Sequence, residues 1–311
     1  MADDNWERPI LEKLAADIVA EQRRARRWNI FWRFLSIGLV LLVALSLVTV
    51  AGFGQKVCLD KCTAVVRIDG EIGRGSRANA EAVSDALKQA FEYPQVKGVL
   101  LVINSPGGSP VQAGQIHDEL KRLRAKYPDK PGHAIVEDMA ASGGYYVAVG
   151  ADRIYVDKAS IVGAIGVIMS GFGFTGAMDK VGVERRVIAA GRHKSFLDPF
   201  QPQKPEDVEH IGQMLDEMHQ QFIRVVREGR GPRLKETPEL FSGLVWTGAR
   251  AIQMGLADDF GSVSTVARDV IQAPELVDFT PDENLADRVA RRLGTTLVEW
   301  AGYELRVPAL R

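Results

Sequence analysis

The chain has 311 residues, enough for one large domain or two medium ones. Charged residues make up 25% and hydrophobic ones 46%, the balance of a globular protein that buries a core. The formal net charge of −1 gives no overall basic excess, so bulk charge provides no argument for nucleic acid as a partner.

Residues 1–27 form a first segment. Ile10, Leu11, Leu14, Ile18 and Val19 recur at helical spacing, which predicts an amphipathic helix. Arg23, Arg24, Arg26, Arg27 and Arg33 crowd just ahead of an apolar run, Phe34 to Gly54, that carries no charge. A run of about 21 residues is long enough to cross a hydrocarbon core of about 30 Å as a helix. Trp28 and Trp32 stand where an interfacial aromatic belt would lie, and the arginines predict a cytoplasmic N-terminus. Residues 28–54 are therefore expected to be a retained single-pass anchor of the inner membrane. More than thirty residues precede the run and no A-x-A site follows it, which argues against a cleaved signal peptide. The remainder is then extracytoplasmic.

Residues 55–62 form a linker with the two cysteines, Cys58 and Cys62. Their spacing offers too few ligands for a metal site. A small-loop disulfide, a cross-link between subunits and two free thiols all remain open.

From Thr63 the texture changes, and residues 63–275 are expected to form one domain. TAVVRI, GVLLVIN, HAIVED, RIYVD, GAIGVIM and VERRVIA read as strands. ANAEAVSDALKQAFEY, VQAGQIHDELKRLRAKY, SGGYYVAVGA and a long segment after Pro205 read as helices. The alternation predicts an α/β layered fold with mostly parallel strands. Residues 276–311 are expected to be a helical extension, with Leu285, Val289, Leu293, Leu297 and Trp300 on one stripe.

Amide hydrolysis needs a nucleophile, a proton acceptor and donors for an oxyanion. In VINSPGGSPVQAG a strand ends before Gly107 and Gly108, and a helix follows. Glycines there leave backbone N–H groups unobstructed, and the helix start adds positive partial charge. An ordinary glycine turn is the plain alternative. In DMAASGGYYVAVGA, Ser142 lies between a strand and a helix, where its hydroxyl would be exposed and the N–H of Gly143 would sit beside the attacked carbonyl.

The base is less defined. His117, His210 and His219 fall on predicted helices and read as surface residues, and His133 opens a strand. His193 and Lys194 share a loop, so a Ser–His and a Ser–Lys pair are equally arguable from the residues. A lysine accepts a proton only as the free amine, which burial makes common at neutral pH. GFGFTG, Gly171 to Gly176, fits G-x-G-x-x-G, but no acidic residue is placed for a ribose, which argues against a dinucleotide site.

Taken together, VINSPGG, DMAASGGYYVA and GRHK, with VGAIGVI and GLVWTGARAIQMGLADDFGS, resemble signal peptide peptidase A, a family of membrane-anchored serine peptidases with the Clp protease/crotonase fold. The resemblance covers roughly Val65 to Val270. It implies Ser142 as nucleophile, Lys194 as general base, and Gly143 with the Gly107–Gly108 turn as oxyanion donors, Gly108 being favoured of the two. It also implies a homo-oligomeric ring in which neighbouring subunits can supply serine and lysine. The implied substrates are membrane-released signal peptides or other unfolded apolar segments, with no metal, nucleotide or organic cofactor. One departure is visible: family members usually carry a serine where this chain has Ala164, and that serine is expected to orient the lysine. Ser160, Ser170, Ser195 or a water are the candidate substitutes. Two alternatives stand beside this reading: a crotonase-type enzyme acting on acyl thioesters, and a non-catalytic membrane scaffold of the same fold.

Overall fold

The computed structural model describes residues 26–42, residue 58 and residues 60–281. The chain divides into two compact units, Met1–Val57 and Cys58–Arg311. In the first unit, residues 26–42 are helical and exposed. This helix includes the start of the expected anchor, whose residues 43–54 lie outside the described residues. Among the described residues, no helix is long and apolar enough to cross a membrane. The predicted amphipathic helix, apart from its last two residues, and most of the C-terminal extension also lie outside them.

In the second unit, an eight-stranded sheet contains β1 (Cys62–Asp69), β2 (Val96–Ser105), β3 (Gly132–Ala141), β4 (Ile154–Val156), β5 (Ile161–Gly163), β6 (Val245–Thr247), β7 (Asp259–Phe260) and β8 (Glu275–Asp278). The main path runs β6-β5-β3-β2-β1-β8. Every pairing is parallel except β5 with β6. The mostly parallel α/β sheet is the one the alternation implies. β8 pairs with β1, so the sheet runs past residue 275, where the catalytic domain was expected to end.

The central strands bury both faces, which is why they read as continuous apolar runs. Ala64, Val66, Ile68, Val99, Leu101, Ile103, Ala134 and Val136 face the larger core. Val65, Leu100, Val102 and Ile135 face a smaller one, closed by Val266 and Ala267. On the larger face lie α1 (Ala80–Glu92), α2 (Pro110–Lys126) and α3 (Gly143–Ala148). Helix α1 buries Val83, Ala86, Leu87, Ala90 and Phe91, an i, i+3, i+4 stripe, and starts where the Asn79 side chain accepts the Ala82 N–H. At its end the Lys130 ammonium donates to the carbonyls of Phe91, in the last turn, and Tyr93, just past it. Helix α2 is capped by Ser109, with Pro110 in its first turn.

β3 pairs along one edge with two short strands in line, β4 at Ala134–Val136 and β5 at Met139–Ala141. Ser160 fills the break: its hydroxyl donates to the Glu137 carbonyl at 2.6 Å and accepts the Asp157 N–H at 2.9 Å. Beyond β5 the expected strands are absent. Of GAIGVIM only Gly163 is in a strand, and VERRVIA is irregular. Residues 167–204 carry one short helix, α4 (Thr175–Val181), before the long α5 (Pro205–Arg230). Val183, Val187 and Ile188 are exposed, so the β-branched run has no sheet neighbour to satisfy it. The cysteines are joined: Cys58 and Cys62 form a disulfide, both buried at the entry to β1.

Candidate active site

β2 and β3 run parallel and end side by side, and the site is built where they stop. β3 passes into α3 through Ser142, whose φ is 51° and ψ −121°. A serine held at positive φ stores roughly 1–3 kcal/mol of backbone strain, which its surroundings must hold. The Ser142 N–H donates to the Gly163 carbonyl at 2.8 Å, and its own carbonyl accepts the Tyr146 N–H at 2.9 Å. The Ser142 side chain does not cap the helix it precedes. Helix α3 is wholly buried, and a Cβ on Gly144 would stand 2.9 Å from the Ser105 carbonyl oxygen. The run of small residues therefore lets this helix lie directly on the end of β2.

The other half comes from the turn after β2. Gly107 has φ 107°, and a Cβ there would meet the Ser142 Cβ at 2.7 Å. Its N–H is occupied by the Ser105 hydroxyl at 3.1 Å. Gly108 forms an isolated parallel bridge with Ile72. The Ile72 N–H donates to Gly107 at 2.7 Å, and Ser109 donates to the Ile72 carbonyl at 2.8 Å. In such a bridge the middle residue turns its own N–H to the opposite side. A Cβ on Gly143 would be 3.3 Å from the Gly108 nitrogen, so the two glycine backbones face one another beside Ser142. Of the two turn glycines, Gly108 is thus the one whose N–H is not taken by Ser105.

Ser142, Gly108 and Gly143 line a cavity of about 370 Å³ with Val111, Tyr146, Ile168, Met218 and Phe222. Its walls are chiefly apolar. Tyr146 and Phe222 pack with ring centroids 5.0 Å apart, and burial pushes the Tyr146 phenol up from its ordinary value. The contribution of α5 is legible in retrospect: Met218, Gln221 and Phe222 follow one helical face. The part played by Ile72 carries no local signal.

Lys194 and His193 do not join this cavity within one chain. Lys194 is exposed and is not among the lining residues. His193 Nδ1 lies 3.4 Å from a carboxylate oxygen of Asp207 in the first turn of α5. Ala164 has φ 50°, and its N–H donates to the Leu244 carbonyl at 2.8 Å. Of the candidate substitutes for a serine at 164, Ser160 is committed to the break between β4 and β5. Ser170 is exposed and Ser195 half-buried. His117 is not a surface residue. It is buried, its Nδ1 donates to the Tyr146 carbonyl at 3.1 Å, and desolvation holds its pKa below the ordinary value. Among the described residues, no group of three or more His, Cys, Asp or Glu could hold a metal ion.

Residues 124–276 match the model of peptidase family S49. A putative protease of Synechocystis sp. is 33% identical over 236 residues, covering 75% of this chain and 81% of that protein. The chain belongs to peptidase family S49. A putative signal peptide peptidase SppA of Enterococcus faecium is 31% identical over 221 residues, 70% of this chain and 64% of that protein. This agrees with the SppA-type motifs. A Brucella melitensis protein named Na(+)/H(+) antiporter NhaA is 44% identical over 209 residues, 66% of this chain. The chain spans only 28% of that relative's length. As an S49 member the chain carries a peptidase domain, which sets the acyl-thioester alternative aside.

Proposed function

We propose that the chain is a membrane-anchored serine endopeptidase acting through an acyl-enzyme. Ser142 is the nucleophile, Lys194 the general base, and the N–H groups of Gly108 and Gly143 the oxyanion donors. One observation carries the reading: Ser142 sits at positive φ at a helix start, in an apolar cavity, beside two facing glycine backbones.

The chemistry follows from those positions. Ser142 Oγ attacks the peptide carbonyl as its proton passes to the Lys194 amine. The carbonyl oxygen becomes an anion held by the two N–H groups. Collapse expels the amine half of the peptide, which takes the proton from Lys194 and leaves an ester on Ser142. Water, losing a proton to the same amine, then attacks the ester; the acid half leaves as Lys194 returns that proton to Ser142 Oγ.

The base comes from a neighbouring copy. In support, Lys194 lies outside the cavity of its own chain, on a segment exposing Phe172, Val181 and Ile188. A homo-oligomeric ring would cover those side chains and bury the amine, favouring the neutral form that a base requires. An extracytoplasmic domain is supported by the run Phe34–Gly54 with the arginines before it, and by the Cys58–Cys62 disulfide, which fits an oxidising compartment. Released signal peptides and other unfolded apolar segments suit the cavity.

Complementation tests the whole scheme. Ser142→Ala and Lys194→Ala should each abolish cleavage of an apolar peptide. Dissociated, mixed in equal amounts and reassembled, they should recover about a quarter of the parent activity, because about one directional interface in four joins an intact serine to an intact lysine. Undiminished cleavage by either variant alone would remove that residue from the mechanism. A mixture as inactive as its parts would place the base within one subunit.

A further inference from the structure

We infer that His219 is a positioning residue that sets the width of the cavity beside Ser142, and so selects for bulk in the substrate side chain it receives. The inference rests on the peptidase reading above. One wall of the cavity is α5, through Met218, Gln221 and Phe222; the facing wall is the extended strip Gly166, Val167 and Ile168. His219 stands beside Met218 on the helix of the first wall and reaches the residue just before the second. Its Nε2 lies 3.1 Å from the Ile165 carbonyl oxygen. A carbonyl only accepts, so Nε2 carries the proton and donates.

That bond sits where other support for the strip runs out. The Gly163 carbonyl is held by the Ser142 N–H, and the Ala164 N–H by the Leu244 carbonyl. Ile165 buries its side chain completely. Past Gly163 the strip leaves the sheet, and Ile168 is 85% exposed. The His219 bond is therefore a direct polar tie between the helix wall and the strip wall, one residue before the cavity lining begins. Dispersion contacts fall steeply when a wall retreats by a fraction of an ångström. A large apolar side chain touching both walls should lose binding when the tie is cut, whereas a methyl group touching few atoms should not. The rival account is that burial of Ile165 alone fixes the strip.

Two amides separate these accounts. The side-chain nitrogen of glutamine falls near the place of histidine Nε2, whereas that of asparagine falls near Nδ1 and cannot reach Ile165. Paired peptides carrying Leu or Ala before the cut provide the readout. His219→Leu and His219→Asn should raise KM for the Leu peptide about fivefold, the worth of one hydrogen bond, and leave KM for the Ala peptide within about twofold. Labelling of Ser142 by a fluorophosphonate should be retained, and His219→Gln should restore the parent KM. Asparagine matching the parent, glutamine failing as far as asparagine, or an equal loss on both peptides would each overturn the inference. Cleavage surviving Ser142→Ala would instead overturn the assignment of Ser142 as the nucleophile, on which the inference rests.

Discussion

A single methyl group at Gly108 tests whether the backbone after β2 serves the reaction. The position has φ 138°, which side chains rarely adopt, and an added Cβ would overlap the Ile72 carbonyl oxygen and stand 2.9 Å from the Ile72 nitrogen. Gly108→Ala must therefore open the bridge. Two backbone hydrogen bonds to Ile72 are lost, at about 1 kcal/mol each. Residual strain adds about 1–3 kcal/mol, for a total near 3–5 kcal/mol of stability. The same movement swings the Gly108 N–H away from Ser142, and removal of one oxyanion donor typically costs about 100- to 1000-fold in kcat. Ser109→Ala is the control. It deletes the α2 cap, at about 1 kcal/mol, and leaves the bridge to Ile72 in place. Urea denaturation and steady-state kinetics on both variants separate the effects. Gly108→Ala should be slow even where it is fully folded, and Ser109→Ala should be less stable but nearly as fast as the parent. A folded Gly108→Ala enzyme with kcat within about threefold of Ser109→Ala would refute the assignment of this N–H.

Two further outcomes follow from residues around the site. His117 is buried with its pKa held below 6.5 by desolvation, so the folded state prefers it neutral while the unfolded chain protonates it. Its contribution to stability is full above pH 6.5 and is lost as pH falls from there through the lowered folded value. His117→Asn, which keeps a donor for the Tyr146 carbonyl but cannot titrate, should flatten the urea midpoint against pH over that window. Ala164→Ser should raise kcat several-fold by returning a hydroxyl to orient the incoming lysine, with little strain added because alanine already occupies φ 50° there. An unchanged kcat would show that this chain orients its base without residue 164.

Much of this architecture can be read from residue order, because the relevant forces are local. Parallel strands buried on both faces need apolar middles, and β1, β2 and β3 have them in Ala64–Val66, Val99–Ile103 and Ala134–Val136. Glycines where strand becomes helix also suit ordinary turns, but Gly107, Gly108 and Gly143 meet around Ser142. The misreadings have equally physical causes. VERRVIA has the composition of a strand, but strand propensity expresses itself only against a neighbour, and this chain alone provides none. A place on a predicted helix makes His117 read as a surface residue, yet it is buried. The better signal was periodicity: Ala113, Ile116, His117 and Leu120 share the buried face of α2. The Ile72 bridge could not be read at all, since it joins two turns far apart in the chain.

The division of labour between the two parts of the site has an energetic logic. Positive φ at Ser142 and Ala164 requires a rigid surround, and it is found where two buried parallel strands end and α3 is locked against Ser105. The proposed nucleophile and oxyanion donors thus all lie within a single folded domain. Lysine has the opposite need. A general base must be the free amine, a form that burial favours. In the proposed mechanism, docking of a second copy desolvates the amine and covers Phe172, Val181 and Ile188 in the same step. Under that proposal hydrophobic burial supplies the free energy that discharging the lysine requires, and an unassembled chain is expected to be inactive.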